Sequence, residues 1–157
     1  MADIVYVTNI GAEGTTRRMS PAGTGAQTAG ATATITGVTI DRGGFSGGSL
    51  PRSAEFAALF DTTLQSGKTL SVTFDLQHST NNSTFTDFAT SAAVVAATGP
   101  SGGGAVQGQV AFNVNLTGAY RYVRLLTVPT LSAIGTDTVT LISTGFFAGF
   151  DRLASPT

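Results

Sequence analysis

The stretch TLSVTFDLQ, residues 69–77, decides how the chain reads. Leu70, Val72, Phe74 and Leu76 alternate with Ser71, Thr73, Asp75 and Gln77. A period of two puts the apolar set on one side of a strand and the polar set on the other, the mark of an antiparallel strand with one dry face. QSGK (65–68) before it reads as a tight turn, and HSTNNST (78–84) after it as another, because asparagine tolerates left-handed backbone and bonds its own main chain.

Working outward, the same signal recurs. Val110, Phe112, Val114 and Leu116 alternate with Ala111, Asn113 and Asn115, and Val139 and Leu141 alternate with Thr138, Thr140 and Ile142. AYRYVRLLTV (119–128) predicts a strand with Tyr120, Tyr122, Arg124 and Leu126 on one face, ended by Pro129, which cannot donate to a ladder. ATITGVTI (33–40) predicts a strand bulged at Gly37, and short strands are expected around Phe85 to Phe88 and over AAVVAA (92–97). TGPSGGGAVQG (98–108) reads as a loop. SAEFAALFDTTL (53–64) fits both periods, Phe56, Leu59, Phe60 and Thr63 at helical spacing or Phe60, Thr62 and Leu64 at strand spacing; a strand is the expectation. Roughly eight or nine strands at short spacing predict an all-β antiparallel sandwich. Residues 1–30 open with Ile4-Val5-Tyr6-Val7 and continue without periodicity, so they read as an extended N-terminal arm, with the β-sandwich domain over 31–157.

Composition narrows the function classes. The chain has 157 residues, no cysteine and 20 glycines; eight basic and nine acidic residues leave a net charge of -1, and charged residues are 11% of the total. That is well under the ~25% usual in globular domains, and no basic stripe is present to neutralise phosphates, so nucleic acid is not an expected partner. No membrane partner is expected either, because the apolar runs are far too short for a bilayer and the start lacks the features of a signal; a soluble chain made in the cytoplasm is the expectation. A surface of short neutral side chains suits a protein that packs against others.

The chemical motifs are weak. Gly44-Phe45-Ser46-Gly47-Gly48 spells G-x-S-x-G, with Asp61, Asp75 and the single His78 following in the order of a hydrolase triad. That elbow needs a helix after the serine and a parallel α/β sheet, whereas the pattern here is all-β, so no enzyme is expected and the stretch reads as a glycine-rich loop. Asp75, Asn81, Asn82 and Asp87 offer hard oxygen ligands around a turn, but their spacing matches no calcium loop; no metal or other cofactor is expected. Asn81, Asn82 and Asn115 stand in N-x-[ST] context and read as turn residues.

Two blocks, residues 64–90 and 120–153, carry a further signal: Leu76-Gln77 and Ser79, then Phe85 to Asp87, the R-Y-V-R of Arg121 to Arg124, Thr136 to Thr138, and the glycine-to-DRL ending of Gly149 to Leu153. Their order resembles small structural proteins encoded near the head genes of tailed bacteriophages. The resemblance implies a jelly-roll-like sandwich and a capsid decoration (cement) protein. It would bind the outer surface of the assembled head through the major capsid protein, stabilise the shell, and form a homo-oligomer with a trimer favoured. The chain would then be located in the virion. Arg17, Arg18, Arg42 and Arg52 are the candidate interaction residues. The alternatives are a tail, neck or head–tail connector component, and a carbohydrate-binding module presenting Tyr120 and Tyr122 side by side.

Overall fold

The computed structural model describes residues 14–21, 26–27, 34–45, 50–133 and 136–149. It is built of antiparallel strands, with no α-helix among the described residues. The strands are β1 (Gly14–Arg18), β2 (Ala26–Gln27), β3 (Ile35–Thr36), β4 (Ile40–Asp41), β5 (Ser53–Leu64), β6 (Thr69–Ser79), β7 (Thr86–Thr90), β8 (Val94–Thr98), β9 (Gly104–Asn115), β10 (Tyr122–Leu131) and β11 (Thr138–Ala148). Sheet A runs β1-β11-β5-β9, with β2 continuing along the β11 edge beyond β1; sheet B runs β3-β10-β6-β7, with β4 beside β3 on β10 and β8 beside β7 on β6. Taking β1 with β2, β3 with β4 and β7 with β8 as interrupted single strands reduces the eleven to eight positions, ordered 1-8-3-6 in one sheet and 2-7-4-5 in the other.

Alternation dictates what lies between the sheets. Leu70, Val72, Phe74 and Leu76 of β6 are fully buried, as the period-two pattern requires. They meet Ala54, Phe56, Ala58 and Phe60 of β5, so the ambiguous segment 53–64 is the expected strand, central in its sheet between β11 and β9. Phe74 stacks on Phe112 with centroids 5.8 Å apart, and Phe56 meets Phe147 edge to face at 5.8 Å, the offset and T-shaped geometries that aromatic quadrupoles favour. Gly67 takes φ 70° in the β5–β6 turn expected from QSGK, a conformation open to residues without a Cβ.

One long side of the sandwich is closed by main chain, and the other is open among the described residues. Met19, fully buried, donates its N–H to Ser143 O in sheet A at 2.8 Å, while its C=O accepts from Val38 N at 2.7 Å; one residue earlier Gly37 N donates to Leu125 O of sheet B. Beneath this bridge Thr127 and Ser143 hydroxyls bond at 2.8 Å and Ser143 N donates to Ser20 Oγ, a buried polar seam in which each group has a partner. Across the sandwich, β9 pairs only with β5 among the described residues.

Four expectations change. Gly14–Arg18 and Ala26–Gln27 belong to sheet A, so part of the 1–30 arm is an edge of the domain itself; residues 1–13, 22–25 and 28–30 of that arm lie outside the described residues. Its polar sequence hid it, because an edge strand buries little. β9 begins at Gly104, inside the expected glycine loop, and holds register with β5 to Leu64. Pro129 does not end its strand, since β10 continues to Leu131. Leu125 C=O faces β3, so alternation turns position 129 the same way, away from β6, and the β6 ladder loses no bond to the missing N–H; among the described residues β3 pairs β10 only at Leu126 and Thr127. Tyr120 precedes β10 and so does not share a strand face with Tyr122.

Candidate interaction surface

Strand pairing lays the outward residues of sheet A in rows. Ile142 of β11 stands directly opposite Leu59 of β5, which stands opposite Gln109 of β9; the next row is Thr144, Ala57 and Ala111. Leu59 is 46% exposed and Ile142 42%, large for two aliphatic side chains placed as neighbours on the outside of a sheet. They sit in a field of alanine, threonine and carboxamides. Its charges are few: Arg18 on the edge strand β1, and Glu55 and Asp61 on β5 itself, with Asp61 one row from Leu59. The row of Ile142, Leu59 and Gln109 itself carries no charge, so it can be covered without stripping water from an ion, the term that makes charged surfaces expensive to bury.

At one end of this face lies an open trough of about 690 Å³, lined by Arg52, Glu55, Asn113, Asn115, Thr117 and Phe146 among others. Asn115 Oδ1 is already occupied by Thr117 N at 2.9 Å, so this carboxamide orders the β9 end.

The four candidate arginines do not converge. Arg18 is exposed and turns back on its own chain, donating to Ser20 O at 3.1 Å and Pro21 O at 2.9 Å. Arg17, on the other side of β1, holds its guanidinium 5.1 Å above the Phe45 ring. Arg52 is exposed at the head of β5 and lines the trough. Arg42 is corrected outright as a surface contact: it is 2% exposed, and its guanidinium donates to the main-chain carbonyls of Pro51, Leu116, Ala119 and Tyr120. The preceding Asp41 pairs instead with Arg121, two hydrogen bonds at 2.8 Å holding its carboxyl below the usual range. Arg42 is therefore a buried cation neutralised by carbonyl dipoles, and burial lowers its pKa.

Arg42 thereby fixes the loop that carries Tyr120. That ring is half exposed and stacks on His78 at 4.1 Å, while Tyr120 N donates to His78 Nδ1 at 3.2 Å. An imidazole accepting at Nδ1 is neutral, and burial together with the nearby Arg42 charge pushes the His78 pKa down. Phe88 packs on the other flank of the ring at 5.0 Å.

On the outer face of sheet B, Arg124 donates to Gln77 Oε1 and Gln77 donates to Asp87, at 2.8 and 2.7 Å, with Phe85 lying 4.1 Å from the guanidinium. Asp75 beside this chain is raised in pKa, first by burial and then by the Asp87 charge.

Among the described residues the hydrolase and calcium constellations do not assemble. Ser46 lies outside the described residues, but the chain beyond it enters strand β5 where an elbow needs a helix. Asp61 and Asp75 project from the outer faces of opposite sheets, and His78 Nδ1 is taken by the Tyr120 amide instead of an acid. Asn81 Oδ1 accepts from Ser83 N and Thr84 N, while Asp87 bonds Gln77 and Asp75 bonds Thr90: turn and ladder chemistry. Among the described residues no three His, Asp or Glu side chains gather to hold an ion, and no helix is long and apolar enough to cross a membrane.

No family model matches the sequence, and no curated protein matches it. The functional reading therefore rests on the surface.

Proposed function

We propose that the chain is a structural protein of a tailed-bacteriophage virion, a decoration protein that lies on the outside of the head and binds the major capsid protein. The observation that carries the proposal is the outer face of sheet A, where Leu59 and Ile142 stand together, exposed, in a row without charge. A stiff sandwich with such a row packs on a protein shell with little charge to desolvate, and repetition around a symmetric particle makes individually weak contacts collectively strong. The strand orders 1-8-3-6 and 2-7-4-5 support the same reading at the level of fold. They support reading the sandwich as a jelly roll, an architecture frequent in viral capsid and lectin domains, though fold alone does not assign function. A homo-oligomer, with a trimer favoured, completes the proposal. The test is the copy number of the chain relative to the major capsid protein in purified particles, by quantitative mass spectrometry. A simple fraction of the capsid copies supports a shell-coating protein; a handful of copies per particle assigns it to tail, neck or connector; absence from particles refutes the virion reading.

One observation favours a second reading, glycan binding. The exposed Tyr120 ring, backed by His78 and held by Arg42, is a rigid platform of the kind on which sugar rings stack. Calorimetry of the full chain against an oligosaccharide panel, with Tyr120→Ala as the control, decides it: heat lost in the variant supports glycan binding, and no heat with either protein removes it.

A further inference from the structure

We infer that β9 is a self-pairing edge, through which two copies of this chain join sheet A to sheet A in one continuous antiparallel sheet. An unpaired edge offers a row of N–H and C=O groups to any other strand, and stable proteins guard such edges with lysine, proline, bulges, shortness or a covering segment. β9 carries none of the guards written into a strand itself. It runs twelve residues, Gly104–Asn115, without a charged residue or a proline, and its register with β5 is unbroken from Asn115 to Gly104. Leu116 N–H points to Arg52 O on the β5 side, so strand alternation turns the N–H and C=O of Asn113, Ala111, Gln109 and Gln107 toward the open side.

The side chains there are incompletely covered as well. Val106 and Phe112 lie inward on β9 yet are only half-buried, and Val94, inward on the neighbouring edge of sheet B, is 41% exposed. The opposite long side of the sandwich, sealed by Met19 and Gly37, shows how the same fold looks when this gap is closed.

The occupant that fits is a second copy. Identical antiparallel strands pair about a two-fold axis, and registers centred on Gln109 or on Val110 keep outward residues facing outward residues. In either register no like charges meet, because β9 has no charge, and the Gln107, Gln109 and Asn113 carboxamides fall within reach of one another across the seam. The pair is two-fold, so a threefold assembly would use other faces, and both together would give six chains. The inference stands independently of shell binding.

The experiment is light scattering of the full chain after size-exclusion chromatography, with two charge variants, Gln109→Lys/Ala111→Lys and Gln109→Glu/Ala111→Glu. Both positions are exposed on the outer face, and both registers set like charges opposite one another in each variant. The wild-type mass should be an even multiple of the chain mass, each variant should show half the wild-type mass, and mixing the two variants should restore it. A monomeric or odd-numbered wild type, a lysine variant that keeps the wild-type mass, or a mixture that stays halved overturns the inference. Hydrogen exchange on the unmodified chain reads the same contact without substitution. The Gln109 and Ala111 amides should slow as concentration rises. Fast exchange at every concentration overturns self-pairing, and protection that persists at dilutions where light scattering shows the monomer overturns it too, assigning the edge to residues of the same chain.

Discussion

Replacing Arg42 with methionine keeps an unbranched apolar stem but removes the guanidinium, and with it the donors to four main-chain carbonyls. Lost charge-assisted hydrogen bonds and stranded acceptors together should lower the unfolding free energy by about 3 kcal/mol, read from urea titrations. The same variant frees the 116–120 loop, so the Tyr120 ring should lose its stack on His78. At His78 the sign of a pH effect follows from the depressed pKa. Its contribution is complete above the ordinary value of 6.5 and is lost as pH falls through the lower folded value, because the unfolded chain takes up the proton first. His78→Gln retains an acceptor for the Tyr120 amide without titrating, so the wild-type excess over this variant should shrink as pH falls below about 6.5. Asp75, raised by burial and by Asp87, works in the opposite direction at lower pH, and the difference between the two proteins cancels it. Neither residue's role was legible beforehand: Arg42 stands in DRGG, which reads as an exposed turn, and only the packing of distant loops makes it a buried clamp.

Among the elements, the connection through Gly37 is the narrowest. A Cβ there would stand 2.3 Å from Leu125 O and 2.7 Å from Met19 O, both main-chain atoms that cannot turn aside. Gly37→Ala should therefore force the two sheets apart on their closed side and lower stability by roughly 2 kcal/mol, the scale of overpacking, seen as a lower urea midpoint. The sequence marked Gly37 as an irregularity because glycine inside a strand pattern signals close backbone approach. Strands with one dry face were equally legible: β6 alternates over its length, as do the ends of β9 and β11. β5 was ambiguous because Ala57 and Leu59, on its outer face, are apolar too, and two apolar faces erase the period. β1 escaped notice for the opposite reason, since GTTRR has no apolar residue to bury. The proline in β10 misled because a sequence does not say which way a strand turns the position of a missing N–H.

For the whole molecule, the exposed pair Leu59 and Ile142 is the feature that a free sandwich does not need. Apolar residues on an outer face look in the sequence like residues of a second core, so the candidate surface emerged only when strand register set the two side by side. Changing both to lysine should leave stability within about 0.5 kcal/mol, as for most surface substitutions. The proposed function makes the stronger demand that the same change abolish attachment to the head. The direct measurement is sedimentation of purified Leu59→Lys/Ile142→Lys protein with shells stripped of this chain, beside wild type, after circular dichroism has shown both to be folded. Wild type should pellet with the shells and the variant should stay in the supernatant; a variant that pellets as wild type does, or a wild type that fails to pellet, would contradict the account.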